Sequence, residues 1–223
     1  MKKAVFILFF ISCFYNSFSQ VNNDSIDNKY LEDQLYLSLS YNILLNKPVE
    51  DADSPFSLGV SLGFIRDFPF NERRNFGVGV GLGYAYNSYK NTITFFDDKI
   101  NDSNIIEEYQ TKTIRSNIVE LPIEIRWRTS TATKFNFWRI YGGFKFSYIF
   151  YSNSKLDYNN ETISVKNLDV LNNLQYGAIL SAGYGTWNLF AYYGLSNLFD
   201  SVGSNGEILK VRDFNIGLKF YIL

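Results

Sequence analysis

The ionisable residues most suggestive of chemistry are Glu120, Glu124, Arg126 and Arg128, set in an otherwise apolar stretch. All four positions share one parity. In an extended chain they point the same way, because successive side chains alternate between faces. Two carboxylates on one face invite a general acid–base reading. Four residues of strand hold them roughly 13 Å apart at about 3.3 Å per residue. Catalytic carboxylate pairs stand about 5–9.5 Å apart. The arginines on the same face offer the better use, a cluster of ion pairs. Lys145 and Lys219, on the matching face of their own segments, join that expected cluster. Two carboxylates against four cations leave positive charge over. Further acids, tyrosine hydroxyls or water must complete the set. No residue is expected to be catalytic, to bind a cofactor or to ligate a metal.

Composition removes other chemistries. Histidine is absent, the one cysteine is Cys13 and the one methionine is Met1. Cys13 and Met1 fall in a leader expected to be removed, and the remaining chain then has no thiol nucleophile, no His-based general base, no His/Cys zinc site and no disulfide. The net charge of −1 gives no basic excess to neutralise phosphates, so nucleic acid is not an expected partner. The glycines at 77, 79, 81 and 83 fail the phosphate-loop spacing, because Leu82 stands where GxGxxG needs its third glycine.

The elements that must position the charged cluster are strands. From Phe76 to Asn87, large apolar residues at even positions alternate with Gly, Ala and Asn at odd ones. The same alternation runs through 35–43, 56–64, 119–127, 144–150, 176–184 and 214–222. Leu189 to Leu198 is an eighth candidate whose phase is ambiguous, since aromatics occupy both faces. The uncharged window 170–199 is long enough for a membrane helix. Its glycines, and a turn signal at Gly185-Thr186-Trp187-Asn188, fit two strands better. Pro122 cannot donate to a ladder, so a bulge is expected at Leu121–Pro122.

The N-terminus reads as an export address. Lys2 and Lys3 precede an apolar run from Ala4 to Phe14, and Ser17-Phe18-Ser19 supplies small residues before Gln20. About 11 apolar residues are too few for a spanning helix. Lipidation at Cys13 is the lesser alternative. The expected organisation is a cleaved leader at 1–19, a short periplasmic segment at 20–33 and one barrel domain at 34–223. Loss of Lys2 and Lys3 leaves 19 cations against 22 carboxylates, a charge of −3.

Connections differ in length. Residues 89–112, 152–173 and 199–210 are long and polar, whereas 129–137 and 185–188 are short. In an up-and-down antiparallel sheet these fall at opposite ends, as in outer-membrane barrels. A soluble eight-stranded barrel also alternates. Its large apolar residues would face inward, into a lumen only wide enough for a filled core. Here the small residues suit the lumen and the large ones suit lipid. The expected fold is an all-β, eight-stranded antiparallel up-and-down transmembrane β-barrel. Tyr41, Tyr84, Tyr86, Tyr89, Trp127, Trp138, Tyr148, Tyr151, Tyr184 and Trp187 are expected in girdles at the two interfaces.

Four stretches resemble a known group. They are Val119 to Arg126, with its Glu-Leu-Pro core; Tyr141-Gly142-Gly143-Phe144; Gly183-Tyr184-Gly185 with Ala191 to Leu198; and Ile216-Gly217-Leu218-Lys219-Phe220. In this order, behind an exporting N-terminus, they resemble the PorT-like outer-membrane β-barrel family. The resemblance implies an outer-membrane barrel, and its named member takes part in type IX secretion and gliding. The expected role is therefore non-enzymatic: a structural, adhesive or secretion-accessory barrel. Its expected partners are outer-membrane lipid and envelope or secretion-apparatus proteins met through 89–112 and 152–173. The alternatives are a small passive pore and, less favoured, a barrel-embedded hydrolase or acyltransferase.

Overall fold

A computed structural model describes residues 33–46, 57–97, 107–130, 137–158, 161–167, 169–200 and 210–222. The expected leader at 1–19 and all but the last residue of the expected segment at 20–33 lie outside them. Every regular element among the described residues is a strand. They are β1 (Gln34–Leu45), β2 (Leu58–Pro69), β3 (Phe76–Asp97), β4 (Glu107–Arg128), β5 (Trp138–Tyr158), β6 (Glu161–Lys166), β7 (Leu174–Tyr184), β8 (Trp187–Gly194) and β9 (Arg212–Ile222). The sheet runs β4-β3-β2-β1-β9-β8-β7-β5-β6, and β4 also pairs with β5. That last pairing closes a ring of eight antiparallel strands. β6 is not a stave of the ring. It forms a hairpin with the top of β5, above the stretch of β5 that pairs with β7.

The apolar face points outward. Leu82 is 62% exposed, whereas Arg126 is 0% exposed. Leu62, Phe144, Leu180 and Leu189 are exposed too, around the whole wall. Large side chains outside and polar ones inside invert a water-soluble core and match a lipid-facing band. Closure satisfies the backbone without an edge, as lipid requires.

β8 settles its phase. Trp187, Leu189, Ala191 and Tyr193 face out, while Asn188 and Tyr192 are buried inside. It also starts earlier than expected, because the turn is only Gly185–Thr186. Tyr89 departs from the expected girdle. It is 2% exposed and donates to Asp213 inside the barrel, as its odd position on β3 requires.

The described parts of the polar stretches at 89–112 and 152–173 are largely strand. β3 and β4 stay paired as far as Asp97 and Glu107, and the β5–β6 hairpin occupies most of 152–166. Polar composition hid these strands. Above a bilayer both faces of a sheet meet water, so the apolar half of the alternation is no longer needed.

The bulge expected at Pro122 is also absent. Val80 pairs with Ile123 and Gly83 with Glu120, so the register is continuous and pairing merely lapses across the proline. Register shifts occur elsewhere, at Lys90/Ile93, Thr111/Thr113 and Asn117/Ile118. The last makes Phe150 an extra residue, so that Phe150 and Tyr151 both face outward.

Candidate functional site

The lumen is where ionisable groups of both signs converge and are buried. It is built in tiers. At the short-turn end, Asp67 of β2 accepts from Arg126 at 3.0 Å and from Arg128 at 2.6 Å. Arg126 also donates to Gln34 Oε1. Its guanidinium lies 4.3 Å from the centre of the Tyr141 ring. The Nε of Arg128 donates to the carbonyl of Arg74 at 2.9 Å, which ties it to the β2–β3 turn. Arg139 is buried beside them over Phe137 and Tyr221.

The middle tier holds the rest of the expected cluster. Lys219 of β9 donates to Glu124 Oε1 at 2.9 Å, and Arg126 Nε lies 4.0 Å from Glu124 Oε2. Lys145 of β5 meets Glu120 at 3.0 Å, and the Tyr36 hydroxyl donates to Glu120 at 2.7 Å. Glycine makes room for these side chains. A Cβ at Gly79 would sit 2.7 Å from Arg126 Cδ, and one at Gly83 would collide with the Tyr36 hydroxyl. The bare inner face of β3 is thus a slot for groups from β1 and β4.

Above, Asp213 accepts from Tyr89 at 2.8 Å and from Asn215 at 3.0 Å. The long-loop end is closed by apolar residues. Val170, Leu171, Leu198 and Phe199 turn inward and pack with Leu44, Tyr89, Ile114 and Val211. Backbone bonds fix these two segments to each other: Asn172 donates to Leu198 at 3.0 Å, and Asp200 to Val170 at 2.8 Å.

The structure therefore brings Glu120, Glu124, Arg126, Arg128, Lys145 and Lys219 into one lumen. The missing negative charge comes from Asp67 and Asp213, and Arg139 adds a further cation. Sequence reasoning missed these three and Tyr36. Parity carried the signal for Asp67, since Phe64, Arg66 and Phe68 face out and Asp67 faces in. The alternation expected over 56–64 stops short of Asp67.

Glu120 and Glu124 are each engaged by a lysine of their own. Within the middle tier lies a cavity of about 40 Å³, bordered by Ser38, Ser61, Glu120, Glu124, Lys145 and Lys219. At roughly 10–15 Å³ of such volume per water, it takes on the order of three waters. The hydroxyls of Tyr141 and Ser181 have no hydrogen-bond partner among the described residues, which suits a wet interior.

The family model described as outer membrane protein beta-barrel domain matches residues 18–200. The chain belongs to that family. It is an outer-membrane β-barrel protein. Among solved structures, it is similar to Ail, the attachment invasion locus protein of Yersinia pestis, solved in complex with the heparin analogue sucrose octasulfate. That match has 13% identity and a TM-score of 0.42, over 86% of this chain and 99% of that one. Neisserial surface protein A (NspA) matches at 12% identity and a TM-score of 0.40, over 86% and 96%. No curated protein matches the sequence.

Proposed function

We propose that the protein is a non-enzymatic barrel of the PorT-like kind, a structural, adhesive or secretion-accessory component that works through its long-strand end. The observation that carries this reading is a lumen crowded by paired side chains. Among the described residues, salt-bridged arginines crowd one end, an apolar cluster packs at the other, and a cavity of about 40 Å³ lies in the charged tier between them. A passive pore needs an open path, and an eight-stranded barrel has little room for one.

The long-strand end is supported by its reach. β3 and β4 have 22 residues each and β5 has 21, against 12 in β1 and 11 in β9. Twenty-two residues span roughly 70 Å along the strand, far beyond an apolar band about 25 Å tall. The upper parts of β3, β4, β5 and β6 form a sheet that rises past the ring. β6 pairs only with β5 among the described residues, so one edge of the sheet is open. Open edges recruit extended segments of other proteins. Envelope or secretion-apparatus proteins are the proposed partners.

The test is a deletion strain complemented with a chain lacking 91–111. The shortened barrel is expected to keep its heat-dependent gel shift. It is also expected to lose partner cross-linking from a photoreactive residue at Ser164, together with the strain's secretion or attachment phenotype. Full complementation by the shortened chain sinks the reading. Steady single-channel currents from the intact chain favour the pore instead.

A further inference from the structure

The outer wall of one sector changes character with height, in the same order on neighbouring strands. On β3 the outward residues run Leu82, Tyr84, Tyr86, Ser88, Lys90. On β4, in the same direction, they run Leu121, Val119, Asn117, Arg115. On β5 they run Phe146, Tyr148, Phe150 and Tyr151, Asn153, Lys155. Apolar gives way to aromatic and polar, and then to cationic. β6 adds Lys166 at the same level.

Register places these cations together. Ser88, Arg115, Asn153 and Lys166 lie directly opposite one another across four strands, and Lys90, Thr113, Lys155 and Ser164 form the next row up. Each cation is thus a diagonal neighbour of the next, about 7–8 Å away through the backbone geometry. All four are exposed, and none makes an ion pair or side-chain hydrogen bond among the described residues. No outward position within 82–90, 115–121, 146–155 or 164–166 carries a carboxylate. Asp169 borders the patch on its β7 side, beside Tyr148 and Tyr151. In a chain of net charge −1, such a run of unneutralised cations calls for an anionic partner.

We propose that Lys90, Arg115, Lys155 and Lys166 seat the phosphate-bearing headgroup of an outer-leaflet lipid. Depth is what selects a lipid. Lys90 lies four residues above Tyr86, about 13 Å of strand and roughly 10 Å of height at a barrel tilt near 40°. Tyr84, whose hydroxyl donates to Asn117 at 2.6 Å, marks the girdle below. A lipid whose chains run down Leu82, Val119 and Phe146 presents its headgroup at the level of the cations, and their long stems can reach it. The inference is independent of what the top of the barrel binds.

The experiment refolds the full chain into neutral detergent micelles doped with diphosphoryl lipid A. Native mass spectrometry then reads the lipid retained. The variants are K90Q/R115Q/K155Q/K166Q and, as a control at the short-turn end, R66Q. Wild type and R66Q are expected to retain the lipid. The quadruple variant is expected to hold it on the order of a hundredfold more weakly, given about a tenfold loss for each one or two cations. The heat-dependent gel shift shows whether each variant folds. If the quadruple variant does not, K155Q/K166Q carries the same comparison with about a tenfold loss. Unchanged retention in the cation variants overturns the proposal. So does equal retention of lipid A stripped of its phosphates. Soluble inositol hexakisphosphate that binds as tightly and displaces the lipid makes the patch a water-facing polyanion site, and the lipid assignment falls.

Discussion

Lys219 and Glu124 meet at 2.9 Å across the barrel, from β9 and β4, which are not neighbours in the wall. Ninety-five residues separate them in sequence. The pair therefore staples opposite sides of the ring from within. Glu124→Ala leaves the Lys219 ammonium buried with its main counter-charge gone. Breaking a buried pair in this way costs about 3–5 kcal/mol. The temperature at which the folded gel band converts to the unfolded one should drop well below that of Glu72→Ala, a change in the exposed β2–β3 turn. Equal temperatures for the two variants mean that the pair does not hold the barrel together.

That pair also shows how far the sequence could be read. Parity within Glu120 to Arg128 put all of those charges on one face, and the same rule oriented Lys145 and Lys219. Parity says which face a residue takes. It does not say which opposite strand a side chain will reach, since that depends on barrel stagger, a property of the closed ring. Tyr36 finds Glu120 from 84 residues away for this reason. The strand extensions of β3, β4 and β5 escaped notice for a different cause. A lipid-facing strand must alternate strongly, whereas one standing in water need not. Pro122 misled because a missing donor need not add a residue. The ladder simply omits those bonds while Gly81 leaves space for the ring, whose Cγ would lie 3.0 Å from a Cβ there.

Asp67 should be the least replaceable acid in the lumen. It bridges Arg126 and Arg128, and its own amide donates to Asp33 at 2.8 Å. Asp67→Asn keeps the shape and removes the charge that two buried guanidiniums share. A loss of about 3–5 kcal/mol is expected, at least as large as for Glu124→Ala. Urea titration of barrels folded in lipid vesicles measures both. A loss below about 1 kcal/mol, the scale of an exposed pair, shows that the arginine tier is solvated.

Val80 and Gly79 are adjacent in sequence and face opposite media. Val80 is 39% exposed on the outer wall, and Gly79 backs onto Arg126 and Ile65. Val80→Arg should cost about 2–4 kcal/mol if it meets the bilayer midplane. Gly79→Ala adds only a methyl group, yet it must displace Arg126 and so disturb the Asp67 tier. The two costs should separate by environment. In a thinner bilayer the Val80→Arg penalty should shrink and that of Gly79→Ala should not. A Gly79→Ala penalty that follows bilayer thickness as well means that the faces are misassigned.

Conductance tests whether the two end closures act in series. The arginine tier and the apolar cap lie at opposite ends of one lumen, so either alone should block ion flow. Planar-bilayer recordings of the intact chain should show no steady openings. Arg126→Ser with Arg128→Ser and Asp67→Ser removes the lower closure but leaves Leu171, Leu198 and Phe199 over the upper mouth. That triple variant should also stay silent. Replacing Leu198 and Phe199 by Ser weakens only the cap, and the arginines below still fill the section. Small, steady currents should arise only when both sets are combined, provided the combined variant keeps its heat-dependent gel shift. Currents from the cap variant alone place the barrier entirely at the long-loop end, and the arginine tier is then a structural brace with a water path around it.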